Sequence, residues 1–227
     1  MNILLCAATK AELGPVLSFL QTRYDNPAPL FFRAEAFQAQ VLLTGVGSVA
    51  TAFSLGQYLA QRKPQLALQV GIAGSYRRDW PLGQTVVQVS SEQWGDLGAE
   101  QADGSFQDVF QLGLQDPNAF PYINGKLYSP SADFSFLPTA QGLTVQTCSG
   151  TERTIAQRLA QYPQAEVESM EGAAFFYACL QQQGLGFVQI RALSNYVEPR
   201  NRAAWQIPQA IEHLGQTVKD LFLALEG

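Results

Sequence analysis

Histidine is nearly absent from this chain. The single copy, His213, sits between Glu212 and Leu214 inside an amphipathic helical pattern, a poor position for a Ser-His-Asp or Cys-His catalytic set. The three cysteines, Cys6, Cys148 and Cys179, stand in apolar stretches without CxxC spacing. They are expected to be buried thiols of a reducing compartment, and beside one histidine they supply no zinc ligand set. Clusters of basic residues are missing as well. The longest run is Arg77-Arg78, and 19 acidic against 14 basic residues leave a net charge of -5, so no nucleic-acid partner is expected. No stretch reaches the roughly 18 to 20 apolar residues of a membrane span. The opening MNILLCAATKAE has neither the basic start nor the long apolar core of a secretory signal. The expectation is a cytoplasmic protein with no membrane partner and no metal.

What is present suits a packed globular chain. Of 227 residues, 47% are hydrophobic and 15% charged, enough for a full core without staples. Short buried strands are expected at 3–8, 66–70, 85–90, 143–148, 166–167 and 187–193, with a hairpin from 30–36 and 40–44. Helices are expected after Thr9, at 49–61, 151–161, from Ser169 to about Gln183, and at 207–225, where Ile207, Ile211, Leu214, Val218, Leu221 and Leu225 share one face. Tyr24 to Pro29 reads as a break. Residues 95–142, rich in Gly, Pro, Asp, Ser and Asn, read as a loop-rich insertion. The alternation predicts α/β class: residues 1–227 as a single domain around a central mixed β-sheet flanked by helices.

Five groups of residues are candidates for chemistry. Gly45-Val46-Gly47-Ser48-Val49-Ala50 has the spacing of a dinucleotide-binding turn, but no Asp or Glu lies between Ser48 and Arg78 to hold a ribose, so it reads as a tight strand-to-helix turn. Its backbone N–H groups remain free to meet a polar ligand. Gly71-Ile72-Ala73-Gly74 reads as a turn where a backbone or a flat ligand can approach closely. Glu171 opens a helix that is apolar all round, Gly172 to Leu180. It is either a favourable acid at the helix N-terminus or a buried carboxylate that needs partners such as sugar hydroxyls. Arg191-Ala192-Leu193-Ser194-Asn195 ends a buried strand, where open α/β sheets bind ligands, or is an ordinary strand-end loop. Glu12 is either the acid of a Thr9-x-x-Glu12 capping box or a functional carboxylate at the same edge of the sheet as Glu171 and Asn195. With a histidine machine and a metal-bound water both lacking residues, carboxylate-only chemistry remains.

The segments Ala7-Ala8-Thr9-Lys10-Ala11-Glu12, Thr44-Gly45-Val46-Gly47, Val70 to Gly74, Glu168-Ser169-Met170-Glu171-Gly172-Ala173-Ala174 and Arg191 to Asn195 follow one another along nearly the whole chain. In that order they resemble the purine nucleoside phosphorylase and methylthioadenosine nucleosidase superfamily. Ser194-Asn195-Tyr196-Val197-Glu198-Pro199-Arg200-Asn201 and Met170 to Phe176 are similar to segments of its futalosine hydrolase branch. The resemblance implies roles. Glu12 would hold and deprotonate the attacking water, and Glu171 would bind ribose hydroxyls with Met170 against the ring. Asn195 would meet the purine N7/O6 edge, supported by Arg191 and Ser194. Gly71, Ile72, Ala73, Gly74 and Ser169 would line the substrate, and Arg153 would either reach O6 or remain a surface residue.

Two departures from the wider superfamily bear on substrate and nucleophile. Asn195 stands where the methylthioadenosine enzymes carry Asp, which favours a 6-oxopurine over adenine. Gln69 stands where hexameric phosphorylases place an arginine for phosphate, which favours water. The resemblance thus implies hydrolysis of a 5'-modified inosine to hypoxanthine and dehypoxanthinyl futalosine, a step toward menaquinone, without a cofactor. A cation among Arg200, Arg202 and Lys126 would meet the carboxylate of the 5' tail, and Tyr196, Trp205 or Phe120 would stack on its ring. A homodimer or larger homo-oligomer is implied. Methylthioadenosine or S-adenosylhomocysteine nucleosidase, 6-oxopurine phosphorylase and non-enzymatic nucleoside binding are the alternatives.

Overall fold

The computed structural model describes residues 1–130 and 136–226. Strand β1 (Asn2–Ala7) is buried from its second residue onward, as expected of a strand covered on both faces. It pairs in parallel with β4 (Gln38–Leu43) on one side and β5 (Leu66–Ser75) on the other. Strand β5 pairs in parallel with β12 (Gly186–Tyr196), which meets β6 (Val86–Trp94) antiparallel. Beyond β6 come β10 (Thr139–Thr144) and β11 (Val167–Ser169), while β3 (Phe31–Arg33) and β2 (Asp25–Ala28) extend the other edge and β9 (Leu127–Tyr128) adds to β6. The sheet is therefore mixed. It also closes on itself: β11 pairs with β5 as well as β10, so β5, β12, β6, β10 and β11 form a ring.

Helices cover both faces. On one, α1 (Gly14–Arg23) and α5 (Ile207–Ala224) pack Val16, Leu17, Leu20, Leu214, Val218 and Phe222 onto Leu68, Val70 and Ile190. On the other, α2 (Ser48–Gln61) and α4 (Gly172–Leu180) bring Leu55, Leu59, Phe175 and Phe176 onto Leu4, Cys6 and Phe187. Helix α3 (Glu152–Gln161) is capped by the Thr151 hydroxyl, which accepts from Thr154 N. Strands β4, β1, β5 and β12 are successive parallel neighbours, so their C-terminal ends share one rim. Glu12, Gly47, Gly71 to Gly74 and Arg191 to Asn195 all follow or occupy those ends.

Several expectations change. Gly71 to Gly74 do not turn: β5 continues through them because β12 and β11 supply partners on both sides. Ser169 ends β11 and does not cap a helix; Glu171 occupies the N-cap position of α4. Helix α1 starts at Gly14, one short turn after Thr9. Tyr24 to Pro29, read as a break, contains β2, an edge strand where Pro27 needs no ladder partner on its open side. Cys148 is exposed, whereas Cys6 and Cys179 are buried. The strand expected at 143–148 starts earlier, at Thr139, and ends at Thr144. The 95–142 segment also carries β7 (Gly98–Glu100) and β8 (Phe106–Asp108), an antiparallel pair; its residues 131–135 lie outside the described residues. Among the described residues, no helix is long and apolar enough to cross a membrane.

Candidate active site

Glu12 is buried at the exit of β1, and its two oxygens have different partners. Oε2 accepts from the N–H and the hydroxyl of Thr9, both at 2.9 Å, while Glu12 N lies 3.4 Å from Thr9 Oγ1. The reciprocal bonds of a capping box are thus made, but around a turn that precedes the helix. Oε1 reaches across the rim to accept from Ile72 N at 3.2 Å. Local sequence therefore orients a carboxylate whose other oxygen meets the neighbouring strand.

Glu171 reaches the same rim from the start of α4. Its Oε1 accepts from Gly47 N at 3.1 Å, and its Oε2 lies 3.4 Å from Arg191 Nη2. Gly47 offers that N–H because its φ is +88°, a backbone setting in which a side chain is strained. The strand-to-helix turn thus presents its N–H to a carboxylate of the protein. Next to Glu171, Met170 is half-buried and its carbonyl accepts from Ser48 Oγ. The buried Ser169 hydroxyl has no partner among the described residues.

Arg191 is 1% exposed. Nη1 donates to Ile72 O at 3.4 Å and Nη2 to Gln69 Oε1 at 3.2 Å, while Nε is unpaired among the described residues. Taking a guanidinium out of water costs several kcal/mol unless charge and hydrogen bonds compensate; Glu171 provides the opposite charge. Gly71 makes the arrangement possible. A Cβ there would lie 2.5 Å from Arg191 Nη1 and 2.8 Å from Glu12 Oε1. The missing side chain lets Glu12 and Arg191 converge over β5, while Glu171 pairs with the other terminal nitrogen, Nη2, at 3.4 Å.

Asn195 lies further along β12. A register shift between Leu193 and Asn195 makes Ser194 an extra residue and sets Asn195 opposite Gly74; bulges re-aim side chains in this way. Asn195 Nδ2 donates to Tyr196 O at 3.0 Å. Ser194 Oγ lies 2.9 Å from Asn195 Oδ1 and 3.3 Å from Ala73 O, with one proton to give. A small cavity holds Gly74, Asn195, Cys148, Glu168, Arg200 and Trp205 in its lining. Two cavities of about 700 and 760 Å³ lie elsewhere, against α3 and beside β2, and no residue singled out from the sequence lines either one.

The candidates thus fall into two adjoining groups along β5 and β12. Glu12, Arg191 and Ile72 meet around Gly71, with Glu171 joined to them through Arg191 Nη2; Asn195 and Ser194 lie at Gly74, and no contact joins the Asn195 side chain to either carboxylate among the described residues. Arg153 is exposed on the first turn of α3, against Gly104. Of the tail candidates, Arg200 stacks over Trp205 at 5.2 Å and both line the Asn195 cavity. Arg202 also lies over Trp205, at 5.7 Å. Lys126 is committed to Gln141 and Gln164, and Phe120 is exposed.

Sequence reading missed Glu92. It is 1% exposed, accepting from Thr144 Oγ1 at 2.9 Å and from Gln189 Nε2 at 3.0 Å. Burial pushes its carboxyl up to about 7, opposed by the Thr144 hydroxyl, the Arg191 charge and the Gln189 amide. Any Cβ on Gly142 or Gly172 would collide with it. Val86 to Trp94 alternates too little and carries too many polar residues (Gln88, Ser90, Ser91, Glu92, Gln93) to mark Glu92 as buried. Arg158, likewise missed, is buried between Glu168 and Asp96 at 3.2 and 3.3 Å.

A fold of this kind, with carboxylates gathered at the ends of parallel strands, defines a class: the phosphorylase superfamily, whose family model matches residues 2–225. The futalosine hydrolase of Thermus thermophilus is 37% identical over 188 residues, 82% of this chain and 81% of that protein. The futalosine hydrolase of Acidothermus cellulolyticus is 33% identical, covering 93% of this chain and 86% of its own. The chain belongs to this superfamily, in its futalosine hydrolase family. Among solved structures, futalosine hydrolase of Helicobacter pylori superposes with a TM-score of 0.77 at 14% identity, covering 98% of this chain and 97% of that one. The S-adenosylhomocysteine nucleosidase of Streptococcus pyogenes, solved with 5-methylthiotubericidin, gives 0.75 at 18% identity, with 100% and 96% covered. At these identities the likeness is one of fold.

Proposed function

We propose that the chain is an N-glycosyl hydrolase that cleaves futalosine, a 5'-modified inosine, to hypoxanthine and dehypoxanthinyl futalosine, in a route toward menaquinone. The observation that carries the chemistry is the convergence of Glu12 and Arg191 over Gly71, with Glu171 paired to the same guanidinium; the curated relatives supply the substrate.

Water is the nucleophile. Glu12, oriented by Thr9 and Ile72, holds it and takes its proton. Glu171 accepts from ribose hydroxyls, with Met170 against the ring and Arg191 holding the carboxylate. Positive charge develops on the sugar as the bond to the base lengthens, as in other glycosidic cleavages, and neighbouring carboxylates favour that charge. Asn195 meets the N7/O6 edge of the departing base, and Ser194 fixes the amide. Gly71 to Gly74 form the floor and Ser169 offers its free hydroxyl from the wall. Arg191, the arginine beside the two carboxylates, is buried and committed to Glu171, Gln69 and Ile72, which leaves it unavailable to a phosphate nucleophile. Arg200 and Trp205 suit the carboxylate and ring of the 5' tail; Arg153 is left as a surface residue. The reading includes a single domain over 1–227, no cofactor, a cytoplasmic location and a homo-oligomer.

The test is incubation with futalosine, inosine and methylthioadenosine, with and without phosphate. Hypoxanthine released from futalosine at the same rate in both buffers is the expected result. Release only with phosphate, or release of adenine alone, refutes it.

A further inference from the structure

Helix α4 begins without help from its own N-cap. Glu171 holds that position, yet its side chain makes no capping bond. Both of its oxygens are committed elsewhere, to Gly47 N and to Arg191 Nη2. The first N–H groups of a helix have no partner within it, and where the helix is buried each must find one. Ala173 N, at the second helical position, finds Thr144 Oγ1 of β10 at 2.7 Å. A hydroxyl from a distant strand thus does what a Ser or Thr at the N-cap does locally.

Glu92 sets that acceptor. A threonine hydroxyl has one proton to give, and Thr144 gives it to Glu92 Oε2 at 2.9 Å. This fixes the hydroxyl with a lone pair toward Ala173 N and strengthens it as an acceptor. When ionised, Glu92 also favours the positive end of the helix dipole. The carboxyl can lie there because Gly172 has no side chain: a Cβ would collide with Glu92 Oε1 and stand 2.7 Å from Gln189 Nε2. Glu92 Oε1 accepts from that same amide at 3.0 Å. Gln189 and Arg191, two residues apart on β12, project to one face, and Arg191 Nη2 is 3.4 Å from Glu171 Oε2. A closed circuit of buried contacts therefore runs from Glu92 through Thr144 to the start of α4, across Glu171 and Arg191, and back along β12 to Gln189.

We propose that Glu92 is a positioning residue: through Thr144 it supplies the cap that Glu171 would otherwise make for α4, and so leaves the Glu171 carboxylate free to meet ribose hydroxyls. This rests on the hydrolase reading above and deepens it. Glu92 acts at a distance, with Thr144 and the first turn of α4 between it and the rim.

Amide exchange in the intact protein reads the cap, and turnover reads its consequence. Thr144→Val keeps the shape and removes the hydroxyl, so Ala173 N–H should exchange at least about 10-fold faster, measured against core amides of β12 that do not change. Glu92→Met should quicken it by a smaller factor. Glu92→Gln, whose amide oxygen still accepts from Thr144, should restore most of the protection. In Thr144→Val and Glu92→Met, kcat/KM for futalosine should fall about 10- to 100-fold. For 2'-deoxyfutalosine, which lacks a hydroxyl for Glu171, it should fall far less, so the ratio between the two substrates shrinks. Exchange of Ala173 at the wild-type rate in these variants overturns the proposal; the nearly isosteric Thr144→Val decides this if Glu92→Met does not fold. An equal loss on both substrates, the outcome of a purely structural role, overturns it too. A wild-type protein that releases no base from futalosine refutes the hydrolase reading alone, and amide exchange still decides the cap.

Discussion

Raising the pH from 5 to 8 should destabilise the protein through Glu92. This side chain is sealed from solvent by Gly142 and Gly172, with Thr144 and Gln189 as its hydrogen-bond donors. Burial raises its carboxyl from 4.5 to about 7 in the fold. In the unfolded chain the group ionises near the ordinary value, so between the two the folded state binds more protons. Stability is then full below about pH 4.5 and is lost as the pH rises through 7. The shift corresponds to roughly 2 to 3 kcal/mol lost between pH 5 and 8, since one pKa unit is about 1.4 kcal/mol. The buried, unpartnered Oε1 of Gln189 is an acceptor for the extra proton once that amide rotates, which favours the neutral acid. Urea unfolding of wild type and Glu92→Gln at half-unit pH steps measures the effect. Wild type should lose stability steadily over the window, and the variant, which has no proton to lose there, should not. A wild-type curve that is flat or rising, or a variant with the same slope, refutes the reasoning.

Two substitutions probe the rim. Gly71→Ala would place a methyl within 2.8 Å of both Arg191 Nη1 and Glu12 Oε1; a cost of about 1 to 3 kcal/mol in stability and a large loss of kcat are expected, and unchanged kcat would show that the convergence over β5 is not needed. Asn195→Asp should shift turnover from inosine-type toward adenosine-type nucleosides, measured as the ratio of hypoxanthine to adenine released under competition; an unaltered ratio would mean that another group alone reads the base.

Local sequence signals carried much of this structure. Short continuous apolar runs and helical stripes located β1, β5, β12, α2 and α5, and Thr9-x-x-Glu12 foretold the reciprocal bonds that orient Glu12. The failures have non-local causes. Nothing within Gly71 to Gly74 says that the strand continues; pairing with Arg191 to Tyr196 and with Val167 and Glu168, far along the chain, decides it. Ser169 looked like a helix cap because hydroxyls favour that position, yet the partner it meets is β10, placed by the closing of the ring. Glu92 and Glu168 sit among mixed polar and apolar residues, and their burial is decided by distant partners, Thr144, Gln189 and Gly172 in one case, Tyr76, Ser149 and Arg158 in the other. Cys148 lies beyond the end of β10 among the polar residues Gln146 to Gly150 and is exposed, unlike Cys6 in β1 and Cys179 in α4.

Hydrolysis by a carboxylate-held water is tested most directly by Glu12→Gln, an amide of the same shape that can still accept from Ile72 N. Futalosine affinity should stay near wild type while single-turnover release of hypoxanthine slows by about 10²- to 10⁴-fold, the usual worth of general-base assistance. A Glu12→Gln protein that releases hypoxanthine at close to the wild-type rate would contradict the account.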